Sequence, residues 1–315
     1  MGMRSSIEAP FRHEAVFYDG LDDFVTKIAR FVADGAAAGE PALVIVSAEK
    51  IDRLREALGV TPDGVTFADM SKVGGNPARI IPVWREFVDE HAGARRFRGV
   101  GEPIWAERSA DELAECQHHE SLLNVAFADT KSFWLVCPYD TTTLPDAVLD
   151  EAKRSHQYVS NGRAGELSGA YSGLEAFARP FSAPLRKPPP DARTLAVSAA
   201  TLHDLRDLVA EHAHAAGFDA VQKADLVLVA NEIASNSVVH AGGSGVFTIW
   251  RDNGSVVCQS DDTGRIAPAL VGRQRPSSGQ VGGFGLWLAN QLCDLVQIRT
   301  FADGSVVRVR MSRRS

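Results

Sequence analysis

What the chain lacks narrows it first. Cysteine is scarce: there are four in 315 residues, and Cys116, Cys137, Cys258 and Cys293 share no C-x-x-C spacing. That excludes a zinc ribbon and a disulfide framework, and leaves reduced, mostly buried thiols as the expectation. Long hydrophobic runs are missing too. The longest apolar strings, such as Ala42 to Val46, fall far short of the roughly 20 residues a spanning helix needs. Residues 1–16 hold no apolar core of a secretion signal, so a cytoplasmic protein with no membrane partner is expected. Basic charge is not in excess, since 33 Lys and Arg stand against 40 Asp and Glu for a net charge of −7. Such a surface disfavours direct nucleic-acid binding. Before the middle of the chain there is neither G-x-x-x-x-G-K-[ST] nor G-x-G-x-x-G, so neither a P-loop nor a dinucleotide site is indicated there.

What is present describes a folded protein of two domains. Hydrophobic residues make up 45% and charged residues 23%, and the length suits two cores better than one. The strongest punctuation is RPFSAPLRKPPPDAR, in which Pro180, Pro184 and Pro188 to Pro190 sustain neither helix nor central strand. It reads as a semi-rigid linker over 179–191, between a domain at 11–178 and another at 192–315. In the first, buried-strand strings at Ala42 to Ser47, Val65 to Ala68 and Phe133 to Cys137 alternate with amphipathic helices. One helix runs from about Asp22 to near Gly35, and another from Ser109, where Glu112 completes a capping box, toward Phe127. This is the rhythm of an α/β domain with a mostly parallel sheet.

The second domain reads as an α+β two-layer sandwich. A strand near Thr194 to Ser198 precedes helices from about Leu202 and from Asp219 to about His240. Strands at Val246 to Arg251 and Val256 to Ser260 flank Asn253-Gly254. Those at Val296 to Phe301 and Val306 to Met311 flank Asp303-Gly304, and both dipeptides carry hairpin-turn chemistry. A glycine-rich loop and a short helix, Leu286 to Cys293, lie between the hairpins.

Three segments of this domain carry chemistry. On the long helix, Glu232, Asn236 and His240 recur every fourth residue and share a face. Asp261-Asp262-Thr263-Gly264 ends a strand with an acid followed by a glycine that admits a ligand to the backbone. Gly282-Gly283-Phe284-Gly285-Leu286 opens a helix, whose free N–H groups and positive dipole end suit a phosphate. In this order the segments resemble the N, G1 and G2 boxes of the histidine-kinase-like (GHKL) ATPase fold shared by gyrase, heat-shock chaperones, histidine kinases and mismatch-repair ATPases. The resemblance spans about 192 to 311 and is nearest to the anti-sigma-factor serine kinases.

That resemblance implies ATP and Mg²⁺ as cofactors. It assigns Asn236 to the Mg²⁺ ion on the triphosphate and Glu232 to the attacking hydroxyl as base, while His240 contacts phosphate or packs, packing being favoured. Asp262 would accept the adenine amino hydrogen, with Gly264 letting the base approach, and Asp261 is the lesser partner. Gly282, Gly283, Gly285 and Leu286 would cradle phosphate. The stretch 265–281, with Arg273 and Arg275, would close as a lid. One departure is Ile266, where the family often has a second glycine. The implied partners are a sigma factor and a STAS-type anti-anti-sigma protein phosphorylated on serine; a homodimer is compatible with the family.

Two alternatives stand beside this. One is a nucleotide-gated sigma-binding module without kinase activity. The other is a sensor histidine kinase, which needs a phosphoacceptor histidine just before the ATPase domain, where this chain has prolines. His119-Glu120 with Asn124 is a faint likeness to such a box but lacks its proline and lies far from the linker. In the first domain, His13, Tyr18, Gly39-Glu40, Glu120 with Asn124, Cys137-Pro138-Tyr139-Asp140 and His156 resemble the MEDS sensory domain over about 11 to 177. This implies an α/β sensor for an unknown small organic ligand, with His13, Tyr18, Glu120, Asn124, Cys137, Tyr139, Asp140 and His156 as its sensory residues. The spacing of Cys116, His118, His119, Cys137 and His156 fits no standard metal site.

Overall fold

The computed structural model describes residues 11–162, 165–173, 175, 183–267, 269–277 and 283–314. The chain divides into two compact units, 1–178 and 179–315. Among the described residues of the first, the strands are β1 (Arg12–Tyr18), β2 (Ala42–Val46), β3 (Val65–Asp69), β4 (Phe97–Gly101), β5 (Phe133–Asp140), β6 (Tyr158–Ser160) and β7 (Glu166–Leu167). They form one sheet in the order β3-β2-β4-β5-β1-β6-β7. Every neighbouring pair is parallel except β6 with β7. The helices are α1 (Gly20–Ala37), α2 (Ala48–Leu58), α3 (Met70–Val73), α4 (Ile80–Glu90), α5 (Ala110–Ala126) and α6 (Asp146–Ser155).

Apolar pattern explains most of this. Each residue of β2 is apolar and buried, as a strand covered on both faces requires. Helix α1 buries Phe24, Ile28 and Val32, one stripe at every fourth position. Ser109 and Glu112 form the reciprocal capping box that starts α5. Strands β1 and β4 were not legible from apolar strings, because RHEAVFY and FRGVG bury charged side chains. In β4, Arg98 donates from Nε to Glu40 Oε2 at 2.5 Å and from Nη1 to the Phe31 carbonyl at 2.6 Å. Alternation divides the neighbours β1 and β5 between two faces. Val16 and Val136 join the α1 and α2 core, while His13, Ala15 and Cys137 turn to the other side.

In the second unit, β8 (Arg193–Val197), β9 (Gly245–Asp252), β10 (Ser255–Asp262), β11 (Leu295–Phe301) and β12 (Gly304–Ser312) form an antiparallel sheet in the order β11-β12-β10-β9-β8. One face packs α7 (Leu202–Ala215), α8 (Ala220–His240) and α9 (Phe284–Leu292) around Leu205, Val229, Ile233, Val256, Cys258 and Val309. On the opposite face Arg308 lies over the Trp250 ring and donates to Gln259 Oε1. From Ala183 on, the proline segment is strapped to this sheet. Arg299 Nε donates to the Ala183 carbonyl at 3.2 Å, and Arg308 Nη2 to the Arg186 carbonyl at 2.6 Å. This part of the expected linker therefore packs with the second unit.

The β11–β12 turn holds β10 in place. A Cβ on Gly304 would lie 2.1 Å from the Asp262 carbonyl oxygen, inside any tolerable contact and against backbone that cannot rotate away. Gly304→Ala is expected to destabilise this unit by about 2–3 kcal/mol, read as a lowered denaturant midpoint of the full chain.

Candidate functional site

The three segments of the second unit meet where α8, β10 and α9 converge. The N-cap Asp219 fixes the start of α8 by accepting the Gln222 N–H at 2.8 Å, and so sets the phase that puts Glu232 and Asn236 on one face. Both are half-buried. Gly283, in the left-handed region at φ 86°, turns the chain into α9. A Cβ on Gly285 would lie 2.8 Å from Glu232 Oε2 and 3.6 Å from Asn236 Nδ2. The missing side chain thus brings the first turn of α9, whose N–H groups lack intrahelical acceptors, beside both polar groups. Leu286 is buried in the core behind it. Gly282 lies outside the described residues.

Asp262 ends β10 on the helix-facing side, in phase with the core residues Val256 and Cys258. Its Oδ2 accepts from Ser237 Oγ at 2.6 Å and its Oδ1 accepts the Gly264 N–H at 2.8 Å. Ser237 is in turn 2.9 Å from Ser260 Oγ. A Cβ on Gly264 would approach Ala241 Cβ to 2.9 Å, so the glycine is needed for this close passage past the end of α8. Asp261 points to the other face, where Gln259 donates to it at 2.7 Å and burial raises its carboxyl above the ordinary range. Of the two acids, only Asp262 faces the helices.

One expectation needs revising: His240 is exposed at the end of α8, so it does not pack into the core. In the described part of the lid, Arg273 is buried while Arg265 and Arg275 are exposed. Ile266, at the departure from the family pattern, is pinned: its N–H donates to Ser305 Oγ and its carbonyl accepts from Thr300 Oγ1. Asn290 Nδ2 holds the Gly272 carbonyl at 2.8 Å, tying the far part of the segment to α9.

The sensory residues of the first unit fall in two places. His13 of β1, Cys137 of β5, Glu120 of α5 and His156 at the end of α6 converge with no side chain more than 1% exposed. His13 Nε2 and His156 Nε2 each lie 3.3 Å from Glu120 Oε2, and Cys137 Sγ is 3.4 Å from His13 Nε2. Asn124, one turn after Glu120, meets His13 Nδ1 at 3.2 Å. Tyr139 packs edge-on against the His156 ring. Burial and the neighbouring His156 lower His13 to about 4. Burial pushes Glu120 up, but contacts from His13 and His156 outweigh it and hold the carboxyl well below its ordinary range. Burial beside Glu120 drives the Cys137 thiol well up. His119, the faint phosphoacceptor candidate, is 1% exposed within α5 and offers no surface for phosphate.

Tyr18 and Asp140 lie elsewhere, at the carboxyl ends of β1 and β5. They line a cleft of about 550 Å³ with Ser47, Lys50, Glu102 and Trp105. Parallel α/β sheets bind ligands at such strand ends. Lys50 Nζ sits 2.7 Å from both Glu102 oxygens, and Tyr18 Oη donates to Glu102 Oε1 at 2.6 Å. Burial raises Glu102 above the ordinary carboxylate range against the pull of Lys50. Sequence reading missed both members of this pair, although Glu102 directly follows the buried strand β4 and Lys50 stands in the first turn of α2, just after β2. Lys50→Met leaves the carboxylate without its cation. Because the lysine is partly open to the cleft, a loss of about 2 kcal/mol is expected, measured as a lowered thermal midpoint.

Comparison with known proteins follows the same division. Residues 12–157 match the family described as MEDS, the MEthanogen/methylotroph, DcmR Sensory domain. Residues 195–311 match the Histidine kinase-like ATPase domain. No curated protein matches the chain. Among solved structures, the crystal structure of the RsbU and RsbW domains of Rv1364c from Mycobacterium tuberculosis is similar at 18% identity and a TM-score of 0.30. That match covers 40% of this chain, which spans 34% of the length of the solved one. No described helix is long and apolar enough to cross a membrane.

Proposed function

We propose that this chain, in which a MEDS sensory domain is followed by a histidine kinase-like ATPase domain, is an anti-sigma regulatory factor. It binds Mg-ATP, sequesters a sigma factor, and phosphorylates a serine on a STAS-type antagonist under control of a small ligand at its first domain. The observation that carries the reading is the meeting of Glu232, Asn236, the first turn of α9 and Asp262 at one end of a single sandwich.

The residues suit the nucleotide. Gly264 and Gly285 let the backbone pass close to α8 where a Cβ would clash, and the carboxamide of Asn236 offers the hard oxygen that Mg²⁺ prefers. When bound, Mg²⁺ supplies neutralisation of charge on the phosphate oxygens. Asp262 accepts the adenine amino hydrogen. The N–H groups at Gly283, Gly285 and Leu286 hold phosphate oxygens. Glu232 takes the proton of the incoming serine hydroxyl as that oxygen attacks in line and ADP departs.

Affinity capture from the host lysate tests the reading, with the full chain held in Mg-ATP or Mg-ADP and retained proteins identified by mass spectrometry. A sigma factor in one nucleotide state and a small antagonist in the other is the expected result. Recovery of neither in either state would overturn it.

A further inference from the structure

We propose that His13, Glu120, Cys137 and His156 form a closed, four-ligand site for a divalent transition metal of the Zn²⁺ class inside the first unit. Among the described residues this is the group of potential ligands that converges, all four ligand atoms lying within 4.8 Å of one another. Metal arms of about 2.0–2.3 Å arranged tetrahedrally place ligand atoms roughly 3.3–3.7 Å apart. Three of the separations here are 3.3, 3.3 and 3.4 Å.

Hydrogen bonding fixes the lone pairs. His156 Nδ1 lies 2.8 Å from the Ala152 carbonyl, an acceptor, so Nδ1 carries the proton. Asn124 uses its Nδ2 to donate to the Ser155 carbonyl at 2.8 Å, so its Oδ1 is the atom that faces His13 Nδ1, which must also carry a proton. In their neutral forms both rings therefore turn unprotonated Nε2 atoms toward Glu120. Orientation of a ligating histidine by a second acceptor on its far nitrogen is the usual arrangement around a metal. Both Glu120 oxygens and His156 Nε2 are buried without an aligned hydrogen-bond partner. Acceptors thus outnumber protons in a pocket that Phe11 and Tyr139 close with their rings. One cation satisfies them together.

Charge selects a divalent ion. On binding, the Cys137 thiol releases its proton to solvent, and one thiolate, one carboxylate and two neutral imidazoles then leave a 2+ ion with no net charge, as full burial demands. Thiolate and imidazole donors favour Zn²⁺ and its first-row neighbours over Mg²⁺ or Ca²⁺. With four protein ligands the site has no open position and ties β1, β5, α5 and α6 together. This inference stands apart from the nucleotide site.

The test uses the full chain without a polyhistidine tag. Elemental analysis of the purified protein is expected to find one equivalent of metal. Metal-stripped protein titrated with Co²⁺ is expected to bind one equivalent, with thiolate-to-cobalt absorption in the near ultraviolet and the intense visible bands of tetrahedral cobalt. Cys137→Ser removes the near-ultraviolet band, and Asn124→Ala, which leaves the four ligands in place, weakens Co²⁺ binding about 10- to 100-fold. Failure of the folded wild type to take up Co²⁺, or persistence of the thiolate band in Cys137→Ser, would overturn the proposal.

Discussion

Replacing Glu232 by glutamine is expected to leave Mg-ATP binding within a few-fold of wild type while slowing phosphoryl transfer by roughly 10²- to 10⁴-fold, the range for loss of a general base. The change keeps the shape of a side chain whose Oε2 abuts the first turn of α9, so the packing around Gly285 survives. Only the capacity to take a proton is lost. Binding by calorimetry and single-turnover transfer to the antagonist separate the two quantities. Equal loss of both would make Glu232 a binding residue, and loss of neither would remove it from the mechanism.

The second large effect belongs to Asp262. In Asp262→Asn, the Gly264 N–H still requires an acceptor at Oδ1, which directs the amide nitrogen toward Ser237. Ser237 Oγ can accept from that nitrogen and turn its own hydrogen toward Ser260 Oγ, 2.9 Å away, so the local fold tolerates the change. The adenine amino group, however, loses the charged acceptor and meets a donor. A lost hydrogen bond to a charged group costs about 1.5–3 kcal/mol, which corresponds to roughly 10- to 100-fold weaker ATP binding with little shift in thermal midpoint. Unchanged affinity would place adenine elsewhere.

Much of the fold was legible because it rests on local signals. The apolar run of β2, the stripe of α1, the Ser109–Glu112 box and the Asn253-Gly254 turn each act within a few residues, whereas the second hairpin turns one residue earlier than its Asp-Gly pair, at Ala302-Asp303, with Gly304 already paired to Phe301. Strands β1 and β4 and the buried face of α5 were hidden because their polar side chains are satisfied by partners distant in sequence. His13 meets Asn124 111 positions away, and Arg98 meets Glu40 58 positions away. A reading by spacing sets Cys116, His118, His119, Cys137 and His156 side by side and finds no standard site, because it lacks His13 and Glu120. The quartet that converges draws its members from four elements, and only the parallel register of β1 on β5 brings His13 and Cys137 to one face. The Lys50–Glu102 pair escaped for the same reason, since nothing in either segment announces the other. In the second unit, Glu232 and Asn236 were legible from helical phase, while the direction of Asp262 against Asp261 followed from strand alternation that only the boundary of β10 settles.

The account rests most directly on where phosphate goes. The full chain is incubated with γ-labelled ATP, Mg²⁺ and the antagonist it captures, and the labelled species is tested for stability to acid and base. The account predicts acid-stable, base-labile label on a serine of the antagonist. Acid-labile label on this chain, or bound ATP with no transfer, would contradict it.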